Sequence, residues 1–336
     1  MMNRVAIRII VPVVIGLGVV VWLFGREFDA DVFGQIRWNT NAVVGIILAW
    51  VAMAGREFGL AWRFRVLTDR KLSNMQALRV TMLCEFTSAV TPTSVGGSAV
   101  SMVFMKREGI PFGRGATLTM GTLFLDELFY VVACPLLFLF VPGSEIFGFA
   151  PGTPGAGIRT AFWIVYGGIC VVTLLLFAGI FVSPGAVGRV LIWLTSGRLM
   201  RRWRAKAESL RESMVEAGRD IRQRPVGWWL EAGGATVMTW VCRYLVVSAL
   251  FYGFASAAPQ AVVFARQFIV WTLLTVSPTP GGSGLSEWLF ATYYGDLVGD
   301  VSMTLVIAVF WRIVTYYVYL AAGIFVIPSW LRAKKQ

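Results

Sequence analysis

TVSPTPGGSGLS (residues 275–286) and AVTPTSVGGSAV (residues 89–100) are near-copies in one chain, and their reading decides the fold. Each sits inside an apolar stretch, 262–295 and 75–105, and neither carries a charge. Proline removes a backbone donor and glycine admits conformations closed to other residues, so a helix breaks at both places. Surface loops do not need such apolar flanks. At membrane depth, non-helical backbone is tolerated only where protein or trapped water satisfies its polar groups.

The surrounding sequence is that of a membrane protein. Of 336 residues, 57% are hydrophobic and 14% charged, against about 25% charged in soluble domains. Six runs have the length and apolarity of a bilayer span: 7–24, 41–60, 116–141, 160–182, 228–253 and 301–327. The first resembles a signal peptide, but REFDADVFG follows it with no small-residue cleavage site, so it reads as a retained anchor.

The chain has no histidine, which removes the usual proton shuttle and the commonest metal ligand. Cys84, Cys134, Cys170 and Cys242 lie singly in apolar segments without CxxC spacing, as small buried hydrophobes do. No cofactor, no metal and no enzymatic activity are expected.

A net charge of +12 points first to the positive-inside bias of membrane proteins rather than to nucleic acid. If 75–105 enters and leaves on one side, the N-terminus, 61–80, 106–115, 183–227 and the C-terminus share the cytoplasmic face. Those segments hold most of the 30 Lys and Arg. A full crossing there would place the Arg-rich 183–227 outside. Residues 75–90 as a helix cover about 24 Å, short of the ~30 Å hydrocarbon core. The fold expected is therefore all-α and polytopic in the cell (inner) membrane. It forms one integral domain over 1–336, with both termini cytoplasmic. Residues 75–105 form a re-entrant hairpin from the cytoplasm, and 262–295 one from outside. A kinked full span is the alternative for either.

Two such hairpins of opposite entry are the sequence sign of an inverted repeat. Each break leaves a half-helix N-terminus with free N–H groups, an anion site, with Ser98 and Ser283 or Gly284 as N-caps. The plainer alternative is a kink with glycines for close packing. Residues 187–222 show a helical stripe of Trp203, Ala207, Leu210, Met214, Ala217 and Ile221 beside many arginines. This cytoplasmic amphipathic helix either lies on the inner leaflet or packs on the bundle.

Charges at membrane depth are costly and tend to face a cavity. They are Arg56, Glu57, Glu85, Asp126, Glu127, Arg243, Glu287 and Arg312. Arg56 and Glu57 lie near a span end and read as snorkelling. Glu287 opens a helix, where it complements the dipole or closes a capping box, or it serves the cavity. Arg243 and Arg312 read as ion-pair partners of these acids or as ligands of a lipid phosphate.

PTSVGGS followed by KREGIPFGRGA, and SPTPGGSGLSE further on, resemble the two half-sites of the lysylphosphatidylglycerol synthase transmembrane family of flippase-like membrane proteins. The likeness covers roughly residues 5–330. It implies re-entrant helices around a lipid-headgroup site, with Pro92, Gly96 and Gly97 in the first motif and Pro278, Gly281, Gly282, Gly284 and Glu287 in the second. Family members often carry an arginine in the helix after the REGI loop. Here that region reads FLDELFY, with Asp126 and Glu127 instead. With the chain ending at Gln336, no soluble aminoacyl-transfer domain is expected.

The function expected is a lipid flippase moving an aminoacylated or amine-bearing phospholipid headgroup, with a lipid-modifying enzyme as a candidate partner. Translocation of a polyprenyl phosphate, or a non-transport subunit assisting lipid-linked transfer, is the alternative. The candidate site comprises Pro92, Ser94, Gly96, Gly97, Ser98, Pro278, Pro280, Gly281, Gly282, Gly284, Glu287, Arg243 and Arg312, with Glu85, Asp126 and Glu127 as headgroup or proton carboxylates.

Overall fold

A computed structural model describes residues 38–91, 95–148, 154–182 and 219–323, with single positions at 193, 208, 212 and 326. The span expected at 7–24 and most of the segment 187–222 lie outside the described residues.

The described chain is helical: α1 (Thr40–Leu67), α2 (Asn74–Val90), α3 (Val95–Arg107), α4 (Phe112–Phe140), the short α5 (Gly143–Phe147), α6 (Pro154–Phe177), α7 (Val226–Phe254), α8 (Gln260–Leu274), α9 (Leu285–Val298) and α10 (Val301–Arg312). Helices covering Thr40–Leu67, Leu118–Phe140, Ala156–Val182, Val226–Phe254 and Ser302–Gly323 are long and apolar enough to cross a membrane. They coincide with five of the six expected spans. Many of their large apolar side chains are exposed, Val51, Leu139 and Leu174 among them, as a lipid-facing surface requires.

The centre of the fold is the antiparallel pair α1 and α7. A Cβ on Gly45 would lie 2.7 Å from Ala249 O and from Gly253 Cα, and one on Gly59 would lie 2.6 Å from Thr239 Oγ1. Between membrane helices the driving force is close packing, and glycine lets two backbones approach. The contacts run in opposite senses along the two helices, and Trp228 at the start of α7 donates to Val66 O at the end of α1 (3.0 Å).

Each half of the chain then makes a helical hairpin. Ser73 and Gln76 close a capping box at the start of α2. Arg79 near the start of α2 pairs with Glu108 just beyond α3 at 3.0 Å, so the two limbs are antiparallel. Arg266 near the start of α8 pairs with Asp296 near the end of α9 (2.8 Å), and Gln267 donates to the Tyr294 hydroxyl (3.0 Å). The four limbs have 17, 13, 15 and 14 residues, fewer than the ~20 of a full crossing. The order long helix, hairpin, long helix thus occurs twice, as α1–α2/α3–α4 and α7–α8/α9–α10. Because α1 and α7 are antiparallel, the second unit is inverted. The inversion reaches beyond the hairpins, to which the sequence motifs alone confine it.

The two breaks are built differently. Thr91, which precedes Pro92, ends α2 in an extended conformation (φ −99°, ψ 143°), as a residue before proline prefers. The following helix already runs from Val95. Gly96, Gly97 and Ser98 are therefore in its first turn, and the expected N-cap at Ser98 is incorrect. In the second break, Gly281, Gly282 and Gly284 have φ of 57°, 72° and 85°, the left-handed region that favours glycine. Gly284 caps α9 there, as expected.

Residues 219–222 are helical. Ile221 is buried with Phe124 and Ile180, and Arg222 Nε donates to Ile180 O (2.7 Å). This last turn of the 187–222 segment packs on the bundle.

Candidate functional site

A cavity of ≈ 220 Å³ opens between the two hairpins and the paired long helices. Its walls come from α1 (Arg56, Arg63), α2 (Glu85, Ser88), α4 (Asp126, Glu127, Tyr130), α7 (Trp240, Arg243), α8 (Trp271), the second break (Ser277, Thr279, Gly281, Gly282) and the last helix (Arg312, Tyr316, Tyr319). Both breaks border it: Ala89 precedes the first, and Ser101 follows it on α3.

Most of its charges are already spent on one another. Arg56 Nη2 meets Glu85 Oε2 at 2.9 Å, and Arg56 Nη1 donates to Glu57 and to the Tyr319 hydroxyl (2.6 Å). Arg56 is 2% exposed, so it does not snorkel. The run 41–60 suggested a span end, but α1 continues to Leu67, which draws Arg56 into the interior. Arg63 grips Asp126 with both terminal nitrogens (2.5 and 3.1 Å), the strong fork geometry of arginine and carboxylate. Trp240 Nε1 adds a third bond to Asp126 at 2.9 Å.

At the second break, Arg312 pairs with Glu287 (2.6 Å) and donates to Gly281 O (3.0 Å) and Ser283 Oγ (2.9 Å). The other oxygen of Glu287 accepts from the Gly284 N–H at 2.6 Å. Glu287 therefore closes the helix start and neutralises Arg312 together, while Arg312, Gly281 and Gly282 line the cavity. Pro278 and Pro280 shape the loop that presents Ser277 and Thr279. A π-helical turn, Ile313–Tyr317, follows Arg312; such turns recur at functional sites. It carries Tyr316, whose hydroxyl donates to Ala89 O (3.2 Å) at the end of α2. Tyr316 thereby ties the second break to the first hairpin. A Cβ on Gly281 would fall 1.9 Å from its ring. Of the first motif, Pro92 and Ser94 lie outside the described residues.

Two charges remain unspent. Arg243 makes no ion pair with a carboxylate among the described residues. Its guanidinium carbon lies 3.6 Å from the Trp271 ring centroid and 5.6 Å from that of Trp240. An aromatic face attracts the cation but leaves its five in-plane N–H donors free. On α4, Glu127 faces the cavity, and its Oε2 is buried with no hydrogen-bond partner among the described residues.

The inverted repeat explains the free arginine. Arg56 and Arg243 each sit just past the middle of the first long helix of their unit, and each faces the inbound limb of its own hairpin. In the first unit that limb supplies Glu85; in the second it supplies Trp271. An indole stands where the repeat has a carboxylate.

Of the residues picked from sequence, Glu85, Asp126, Glu127, Arg243, Gly281, Gly282 and Arg312 meet at this one cavity. Arg63, Trp240, Trp271, Tyr316 and Tyr319 were missed. Arg63 falls in the basic segment 61–80 that reads as cytoplasmic, and the aromatics carry no local sign of a site.

Residues 9–323 match the family described as the lysylphosphatidylglycerol synthase TM region. A UPF0104 membrane protein of Archaeoglobus fulgidus is 22% identical over 303 residues, covering 86% of this chain and 88% of that protein. No solved structure matches.

Proposed function

This chain belongs to the lysylphosphatidylglycerol synthase transmembrane-region family, and from that premise we propose that it is a flippase-type transporter that moves a phospholipid headgroup through the cavity between its broken hairpins. The observation that carries this reading is Arg243, the cation in the cavity that makes no ion pair with a carboxylate among the described residues. An uncompensated charge in a low-dielectric interior is costly, by several kcal/mol for a broken buried pair. A phosphate that docks there offsets the cost, and guanidinium matches phosphate with two parallel bonds.

The unpaired Glu127 favours an amine-bearing or aminoacylated headgroup over a plain anionic one. A polyprenyl phosphate would use Arg243 and leave Glu127 idle, and is the second reading. The hairpins re-enter from opposite faces, the termini are cytoplasmic and the host is the inner membrane, on the charge distribution of the loops.

The test is translocation in proteoliposomes of phosphatidylethanolamine, aminoacyl-phosphatidylglycerol, phosphatidylglycerol and a polyprenyl phosphate. Arg243→Gln is expected to abolish movement of every phosphate lipid. Glu127→Gln is expected to slow the amine-bearing lipids alone. Folded wild-type protein that moves none of them above empty vesicles would end the flippase reading.

A further inference from the structure

On the other side of α4 and α7 from the polar cavity lies a second cavity of ≈ 380 Å³, a groove between α4, α7 and the start of α8. Its walls are apolar: Leu128, Phe129, Val132, Leu136, Val237 and Val241 among them. Thr236 also lines it, with its hydroxyl bonded back to Ala232 O (2.9 Å). Val132, Leu136 and Val237 are about half exposed and belong to helices that cross the membrane, so the groove opens to lipid.

A thin aromatic wall separates groove from cavity. Phe129 on the groove side stacks on Trp240 on the cavity side, with ring centroids 5.8 Å apart and planes at 11°. Beside them, Tyr130 of the cavity wall and Tyr244 of the groove wall are 3% and 1% exposed. Their two buried hydroxyls face one another, and neither bonds to any third group among the described residues. An apolar slot, a buried pair of hydroxyls and a charged cavity follow one another in the order of a lipid's tail, ester linkage and headgroup.

We propose that the groove between α4 and α7 holds an acyl chain of the translocated lipid, that Tyr130 and Tyr244 meet its ester region, and that the Phe129–Trp240 stack is the lateral gate through which its headgroup reaches the cavity. The inference rests on the proposed translocation and names the route by which the lipid enters. Lipid is the occupant because the slot lies on membrane-spanning helices and adjoins the headgroup site across the Phe129–Trp240 wall.

Two adjacent glycines provide the test. A Cβ at Gly233 or at Gly234 meets nothing within 4 Å, and replacing glycine within a helix favours the helix, so both variants are expected to fold, which their unfolding curves check. Gly233 lines the groove, and Gly234, exposed at its rim, does not. Gly233→Phe fills the slot, and Gly234→Phe is the control. Lipid retained by protein purified from vesicles of phosphatidylethanolamine and phosphatidylglycerol is read by native mass spectrometry, and translocation is read in the same vesicles. Gly233→Phe should lose the retained lipid and fall to the rate of empty vesicles, while Gly234→Phe matches wild type.

Equal retention and equal rates in the two variants overturn the groove and leave the flippase reading standing. If wild type moves no lipid, the flippase reading fails by itself. Retention still decides the groove: a lipid lost only in Gly233→Phe supports it, and unchanged retention overturns it. A disulfide formed from Gly233→Cys to a cysteine placed in the run 7–24 would make the chain's own segment the occupant and overturn the proposal as well.

Discussion

Replacing Trp271 by glutamate gives Arg243 the carboxylate that its repeat counterpart Arg56 already has in Glu85. The two arginines occupy equivalent places in inverted units, and Trp271 lies against the Arg243 guanidinium. A carboxylate there would sit within ion-pair reach. At about 4 Å and an effective dielectric of 20, the attraction is about 4 kcal/mol. A phosphate that binds Arg243 must then displace that carboxylate. The apparent affinity should fall by about two to three orders of magnitude, since each 1.4 kcal/mol is tenfold.

The substitution also removes an indole that packs against Trp311 (centroids 6.1 Å apart) and donates to Gln267 (3.0 Å). Trp271→Gln loses the same packing without adding a charge and isolates the electrostatic part. The assay is binding of a soluble glycerophospho headgroup to purified protein by calorimetry, at fixed salt, with translocation measured in parallel. The expected order is wild type tightest, the glutamine variant somewhat weaker, and the glutamate variant weaker again by the stated factor. Equal affinities for Trp271→Glu and Trp271→Gln would refute the idea that the free guanidinium is what binds.

The paired arginines should behave in the opposite way. Asp126→Asn strands Arg63, whose side chain is 4% exposed, and should lower unfolding stability in detergent by about 3 kcal/mol, whereas Glu127→Gln, with no partner to strand among the described residues, should stay within about 1 kcal/mol of wild type. Gly59→Val forces α1 away from α7 at Thr239 and should cost about 1–3 kcal/mol, read from the same unfolding curves. Gly281→Ala meets both a positive φ and the Tyr316 ring; it should release the Tyr316–Ala89 tie and speed amide exchange at the second break, measured by hydrogen–deuterium exchange.

Five of the six spans and both breaks were legible because apolar length and the proline-glycine punctuation are local signals. Glu85, Arg243 and Arg312 were legible because a charge inside an apolar run announces itself. Arg56 was misplaced for a local reason: α1 outruns its apolar stretch by a further turn or more, ending at Leu67 among arginines. Ser98 was misplaced because two similar motifs were given one geometry. In the first, three residues separate Pro92 from Gly96, and the helix resumes before the glycines; in the second, Pro280 abuts Gly281, and the glycines themselves form the loop. The pairing of Arg56 with Glu85, and the substitution of Trp271 for its counterpart, depend on an inverted long-range register that no single window of sequence contains. The Phe129–Trp240 wall is hidden for the same reason.

The most direct measurement is an electron cryo-microscopy structure of the protein in nanodiscs that contain an amine-bearing phospholipid. The account predicts a lipid phosphate within hydrogen-bond distance of the Arg243 guanidinium, in the cavity between the two hairpins. A phosphate held elsewhere, at the start of α3 or α9 with Arg243 left on its tryptophan, would contradict it.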